Sequence, residues 1–255
     1  MAIELGLTPD GRSSATFDEY LDAAQAAGFT TVGVGANRAD DAAAAALAAR
    51  GLHCHELLSL SIRRDEEATE AQARDLAAAA ARVGAPWVLA IFNTKLRAES
   101  LALAVRCAAI LNEAGARFAM EFGPGGAGVG SIPQAIEVVD AMGGPTKAGV
   151  MIDTWHFAHG PSTFDDLATI PLDHIAYVQF DDAPPWESDD FQVETMNRRA
   201  WPGDGVLELD RFADTLRARG WEGVVSSEVL NAEYAQLPID EYCRQAFTTL
   251  ARYWT

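Results

Sequence analysis

The stretch EEATEAQARDLAAAAARVGAPWVLAIF, residues 66–92, holds one complete instance of the unit that decides the fold. Glu66 to Val83 is rich in alanine, the best helix former, and predicts a helix. Gly84 follows, the residue expected just past a helix C-terminus because glycine enters the left-handed conformation without steric cost. Trp87 to Phe92 is a short apolar run of the length and composition of a buried strand.

Outward from this unit the same alternation recurs from one end of the sequence to the other. Candidate strands are Ile3 to Leu7, Thr30 to Val34, Leu52 to Leu58, Trp87 to Phe92, Arg117 to Phe122, Ala148 to Asp153, Ile175 to Phe180 and Gly223 to Glu228. Candidate helices between them are Phe17 to Ala27, Asp41 to Arg50, Glu66 to Val83, Ala98 to Ala114, Pro133 to Met142, Thr163 to Ala168, Leu209 to Arg219 and Ile239 to Tyr253. Gly28, Gly51, Gly84, Gly115 and Gly220 each close one of these helices. Eight strand-helix units predict an α/β fold, a closed parallel (β/α)₈ barrel, as one domain over residues 1–255. A doubly wound open sheet would show fewer units and a glycine-rich turn after its first strand, and neither occurs. A hydrophobic share of 49% is enough for a large core, and a charged share of 22% is too low for disorder.

The formal net charge is −18, from 37 acidic against 19 basic residues, so a nucleic acid backbone is repelled at long range. The pairs Arg63-Arg64 and Arg198-Arg199 are isolated and form no basic patch. Cys54, Cys107 and Cys243 are odd in number and lack metal-type spacing, which predicts structural thiols in a reducing compartment. The first residues carry no signal-peptide pattern and no 18-residue apolar run occurs, so a cytoplasmic protein without membrane contact is expected.

In a barrel of this kind chemistry gathers where the strands end at their C-terminal side. Four consecutive candidate strands end or pass through Glu121, Asp153, Gln179 and Glu228. Converging carboxylates repel one another and resist desolvation unless a cation compensates. Oxygen donors of this kind suit Mg²⁺ or Mn²⁺ better than zinc, so one divalent metal ion is the expected cofactor. His156 stands three residues beyond Asp153, on the loop expected after the sixth strand, placed to polarise a substrate oxygen or carry a proton. The long segment from Asp181 to Gly205 carries Trp186, Arg198, Arg199 and Trp201, and its arginine could hold a substrate oxyanion or carboxylate. Gly123 to Gly130 lacks a phosphate-cradling ending and reads as a mobile lid. His53 and His55 share one face of their strand with Cys54 on the other, and His55 is a candidate to line the pocket.

At these residues the chain resembles the xylose isomerase-like TIM barrels, which include sugar isomerases and epimerases, inosose and 3-dehydroshikimate dehydratases and apurinic endonucleases. The resemblance covers essentially the whole chain and is carried by Glu121, Asp153-Thr154-Trp155-His156, Val178 to Asp182, Arg199, Pro202-Gly203-Asp204-Gly205 and Glu228. It implies that Glu121, Asp153, Gln179 and Glu228 hold the metal and that His156 and Arg199 contact substrate. Many members carry histidine followed by Lys-Asp at the third ligand; Gln179 with Phe-Asp-Asp resembles the hydroxypyruvate isomerases and 3-dehydroshikimate dehydratases instead.

The implied activity is an isomerase or epimerase of a small keto-sugar or cyclitol, with Glu121 and Glu228 moving a proton through an enediolate. A metal-dependent lyase would use the same residues with His156 as acid or base, and a non-catalytic sugar-binding barrel would need only the pocket. Members of such a family often assemble as homo-oligomers.

Overall fold

The computed structural model describes residues 3–125 and 128–255. Met1 and Ala2, on which part of the N-terminal reading rests, and Gly126 and Ala127 of the expected lid lie outside the described residues.

Eight parallel strands close into a barrel in sequence order: β1 Glu4–Leu7, β2 Thr31–Gly35, β3 His53–Ile62, β4 Trp87–Phe92, β5 Arg117–Glu121, β6 Ala148–Asp153, β7 Ile175–Phe180 and β8 Val224–Ser227. The eighth strand pairs back to the first from Glu4 opposite Val224 to Leu7 opposite Ser227. Helices α1 Phe17–Ala27, α2 Asp41–Arg50, α3 Glu66–Val83, α4 Ala98–Glu113, α5 Ile132–Ala141, α6 Thr154–His159, α7 Phe164–Thr169, α8 Phe191–Asn197, α9 Leu209–Ala218 and α10 Ile239–Trp254 occupy the connections. The (β/α)₈ architecture expected from the alternation is the one observed.

Local chemistry explains most boundaries. Thr16 and Glu19 close α1 with a reciprocal capping box, and Gly28 ends it at φ 111°, where a side chain would be strained. Asp40, Asp65 and Ser131 each cap the helix that follows with a side-chain oxygen.

Three features differ from the sequence reading. β3 runs on to Ile62 because Leu60 and Ile62 alternate with Ser59 and Ser61, pairing with Ala90 and Phe92 of β4. The segment after β6 is helix α6 rather than loop, since Asp153 accepts the His156 backbone N–H at 2.9 Å and caps it. The long 181–205 segment contains α8, capped by Asp190 and anchored by Phe191 against Trp155 and Trp186.

Two apolar cores follow from strand alternation. Outward-facing residues such as Phe118, Met120, Val150, Ile152, Val178 and Phe180 join the helices in one large cluster. Inward-facing Trp87, Leu89, Ala119, Met151 and Tyr177 fill the barrel itself. The three cysteines are buried free thiols, in keeping with structural roles. No helix among the described residues is long and apolar enough to cross a membrane.

Candidate active site

The rim residues are the next inward positions on strands that fill the barrel. Ala119, Met151 and Tyr177 belong to the interior cluster. Two residues beyond them along the same face stand Glu121, Asp153 and Gln179. Ser226 meets Thr8 at 2.9 Å, and Glu228 lies the same step beyond it. The β6–β7 register sets Asp153 beside Gln179, and the β7–β8 register sets Gln179 beside Ser226.

Glu121, Asp153 and His156 each offer a donor atom within 4.8 Å of the others. Glu228 reaches the group through Arg199, whose Nη1 lies 2.7 Å from Asp153 Oδ2, 2.6 Å from Asp181 Oδ2 and 3.2 Å from Glu228 Oε2. Gln179 is fully buried; its amide nitrogen points to Glu56 at 3.4 Å, and its Oε1 has no hydrogen-bond partner among the described residues. Glu121, His156, Arg199 and Glu228 line a cavity of about 570 Å³, together with Leu58 and Asn93.

His156 sits on the first turn of α6, its Nε2 2.9 Å from Glu121 Oε1 and its ring against Gly123. Burial pulls its pKa down, but the charges of Asp153 and Glu121 outweigh that and raise it above the usual imidazole value. Arg199 is 2% exposed, and besides the three carboxylates it donates from Nε to the Thr195 carbonyl at 2.9 Å. Nη1 and Nε are therefore committed to the protein, while Nη2 meets Thr195 Oγ1 at 3.4 Å and the residue borders the cavity. Neighbouring Arg198 is half-buried and pairs with the exposed Glu187 and the buried Glu194.

Too little positive charge is present for the acids gathered here. Arg199 and His156 face Glu121, Asp153, Asp181 and Glu228. Burial tends to raise the Asp153 pKa, but Arg199, His156 and the His156 N–H hold it below the usual carboxylate range. Asp181 is instead pushed up to about 7 by burial and by Asp153. Glu228 rises well above the usual value, chiefly through burial, with Asp153 and Glu121 adding to it. A bound dication would relieve this repulsion. The carboxylates and the unpartnered Gln179 oxygen fit a hard divalent ion.

Two acids escaped the sequence reading. Asp181 accepts Thr154 Oγ1 at 2.6 Å and bonds Arg199; it continues the inward series Tyr177, Gln179, which could have revealed it. Glu56 is fully buried inside the barrel, where it accepts from Thr8 and Tyr177. Burial raises its pKa, but His55, Thr8 and Tyr177 prevail and hold it below the usual value. His55 faces inward as expected but lies deep, beside Gly6, Thr31 and Tyr177, and away from the cavity that Glu121 and Glu228 line. In the glycine-rich stretch Gly123 donates to the Val129 carbonyl, and Gly128 packs on Phe92 so closely that a Cβ would collide.

Residues 21–252 match the family model described as xylose isomerase-like TIM barrel. An inosose isomerase of Halalkalibacterium halodurans is 30% identical over 162 residues, 62% of this chain and 55% of that protein. An inosose isomerase of Bacillus subtilis is 27% identical over 162 residues, covering 62% of this chain and 56% of its own. The matches thus span about half the length of these curated relatives. Among solved structures, the IOLI protein with a bound zinc atom superposes with a TM-score of 0.85 at 20% identity, covering 99% of both chains. A xylose isomerase domain protein from Alicyclobacillus acidocaldarius gives 0.78 at 25% identity over 99% of this chain and 98% of its own. With the closed eight-stranded barrel and a family match across most of the sequence, this chain belongs to the xylose isomerase-like TIM barrel family.

Proposed function

We propose that the protein is a divalent-metal-dependent isomerase or epimerase of a small polyhydroxylated ketone, with an inosose as the first substrate to try. The observation that carries this reading is the gathering of Glu121, Asp153 and His156 donor atoms within 4.8 Å, at a cavity that Glu228 also lines. The inosose isomerase relatives support the substrate class.

Glu121, Asp153, Gln179 and Glu228 are the residues to hold one cation, Mn²⁺ or Mg²⁺ by the preference of oxygen donors. When bound, such an ion polarises a carbonyl and the adjacent hydroxyl and acidifies the C–H bond between them. The protein's own groups supply the proton transfers. Glu228 takes the proton from carbon; burial raises its pKa well above the usual carboxylate value and so makes it a stronger base than an exposed carboxylate. Glu121 returns a proton to the neighbouring carbon for isomerisation, or to the opposite face for epimerisation. His156 holds Glu121 through its Nε2 and so fixes the direction of that carboxylate. Asp153 and Asp181 fix Arg199, whose charge limits repulsion between the two working acids. The cavity volume of about 570 Å³ accommodates a six-carbon polyol. The buried thiols agree with a reducing, cytoplasmic setting, and residues 1–255 act as one domain in this reading.

The test is incubation with Mn²⁺ and a panel of inososes and keto-sugars in deuterated water, followed by proton NMR. Deuterium entering the carbon next to the carbonyl, with a rearranged product and no loss of water, is the expected result. An unsaturated product would replace the reading with a lyase. Substrate binding without any exchange would reduce the protein to a sugar-binding barrel.

A further inference from the structure

Glu56 lies inside the barrel, below the rim and outside the mechanism described above. A shift in the β2–β3 pairing between Val32 and Gly33 leaves His55 as an extra residue and lets Glu56 turn inward after it. There its carboxylate is surrounded by donors. Thr8 Oγ1 donates to Oε1, Tyr177 OH donates to Oε2 at 2.5 Å, and His55 Nε2 lies 3.3 Å from Oε1. Gly33 clears the space: a Cβ there would come within 2.7 Å of Oε1.

The remaining partner is Gln179, whose Nε2 donates to Glu56 Oε2 at 3.4 Å. An amide offers two chemically opposite ends, and only the oxygen can bind a cation. The reversed amide would set its oxygen against Glu56 Oε2, an acceptor facing an acceptor between two fully buried side chains. With the nitrogen engaged, Oε1 is left as a buried acceptor without a partner among the described residues.

We infer that Glu56 is the positioning residue that orients the Gln179 amide, turning its oxygen rather than its nitrogen to the metal. This rests on the reading of Gln179 as a ligand. It gives β3 a part in the centre otherwise built from β5 to β8.

The test has two arms, and the first needs no metal. In the metal-free protein, the Gln179 side-chain NH₂ resonances, assigned by their loss in Gln179→Glu, should exchange slowly with solvent and change position in Glu56→Gln. Fast exchange in the parent protein overturns the inference whatever the metal does, and it is read without any variant of Glu56 having to fold.

In the second arm Mn²⁺ binding is measured by calorimetry for the parent, Glu56→Gln and the swapped double variant Glu56→Gln/Gln179→Glu. The single variant should bind about 10–100-fold more weakly, the usual loss when a group supporting a ligand is removed. The swap should recover most of that loss, because residue 56 then donates and residue 179 offers oxygen from either end. Equal Mn²⁺ affinity in Glu56→Gln and parent, or a swap no better than the single variant, overturns the inference. A parent that binds no Mn²⁺ overturns the metal reading instead, while the amide resonances still report on Glu56.

Discussion

The two halves of the barrel rim are built to opposite plans. From β5 to β8 the inward positions carry Gln179 and the acids Glu121, Asp153, Asp181 and Glu228, each acid bonded to Arg199 or His156. From β1 to β3 they carry Gly33, Gly35 and Leu58, beside an apolar cavity of about 210 Å³ that includes Phe17, Tyr20 and Leu237. Leu58 borders both cavities. One half concentrates buried carboxylates, and the other supplies room lined mainly by apolar side chains with Asp10 and Arg38 at its edge. Catalytic loss and instability on mutation should therefore concentrate in the acidic half, and altered substrate choice in the apolar half.

The largest expected effect tests that division directly. Glu228→Gln should lower kcat by about 10²–10⁴, the usual worth of a positioned acid or base. Thermal stability should hold or rise, since burial disfavours the Glu228 carboxylate. An active Glu228→Gln would remove the reason for treating the acidic half as the reacting one.

Next comes stability. Arg199→Met leaves Asp153, Asp181 and Glu228 without their shared partner, and should cost about 3–5 kcal/mol in urea unfolding. Arg74→Met, at an exposed arginine of α3 that pairs with Glu70, should stay within about 0.5 kcal/mol. Similar losses at the two arginines would mean that the buried cluster is not what distinguishes them.

A third measurement reads the cluster's protons. Asp181 is pushed up to about 7, and Glu228 is also raised, so below neutrality a dication must displace protons to bind. Mn²⁺ affinity should climb from about pH 5 to pH 8 and then level, with proton release visible as buffer-dependent calorimetric heats. The same shift costs the metal-free protein stability as pH rises past the unfolded carboxyl value toward 7, because the folded state holds that proton more tightly. Saturating metal should flatten this trend. A pH-independent Mn²⁺ affinity would break the link between the raised carboxyls and the cation.

The smallest effect is expected across the rim. Leu237→Ala in the apolar cavity should change KM by at most about tenfold and leave kcat nearly unaltered. A collapse of kcat would draw the apolar half into the chemistry.

How much of this was legible follows from where the signal lies along the chain. The eight-fold alternation, the helix-ending glycines and the acids at successive strand ends are local patterns of period and punctuation. They set Glu121, Asp153, Gln179 and Glu228 at the ends of successive apolar runs along the chain. Alternation along β7 would also have brought in Asp181, had the series been followed one step past the strand. Arg199 was legible as a functional candidate but not as a buried partner of three acids, because its neighbours come from β6, β7 and β8.

The amino-acid sequence by itself determined the barrel and the acidic arc, and from them came the expectation of a compensating cation, since periodicity and charge are properties of residues in order. Only the tertiary structure decided that Glu56 turns inward. One extra residue in the β2–β3 pairing reverses which side chains face the interior, and that shift arises from the fit between two strands. It likewise decided that Arg199 is enclosed by carboxylates, because charges far apart in the chain meet only when the barrel closes.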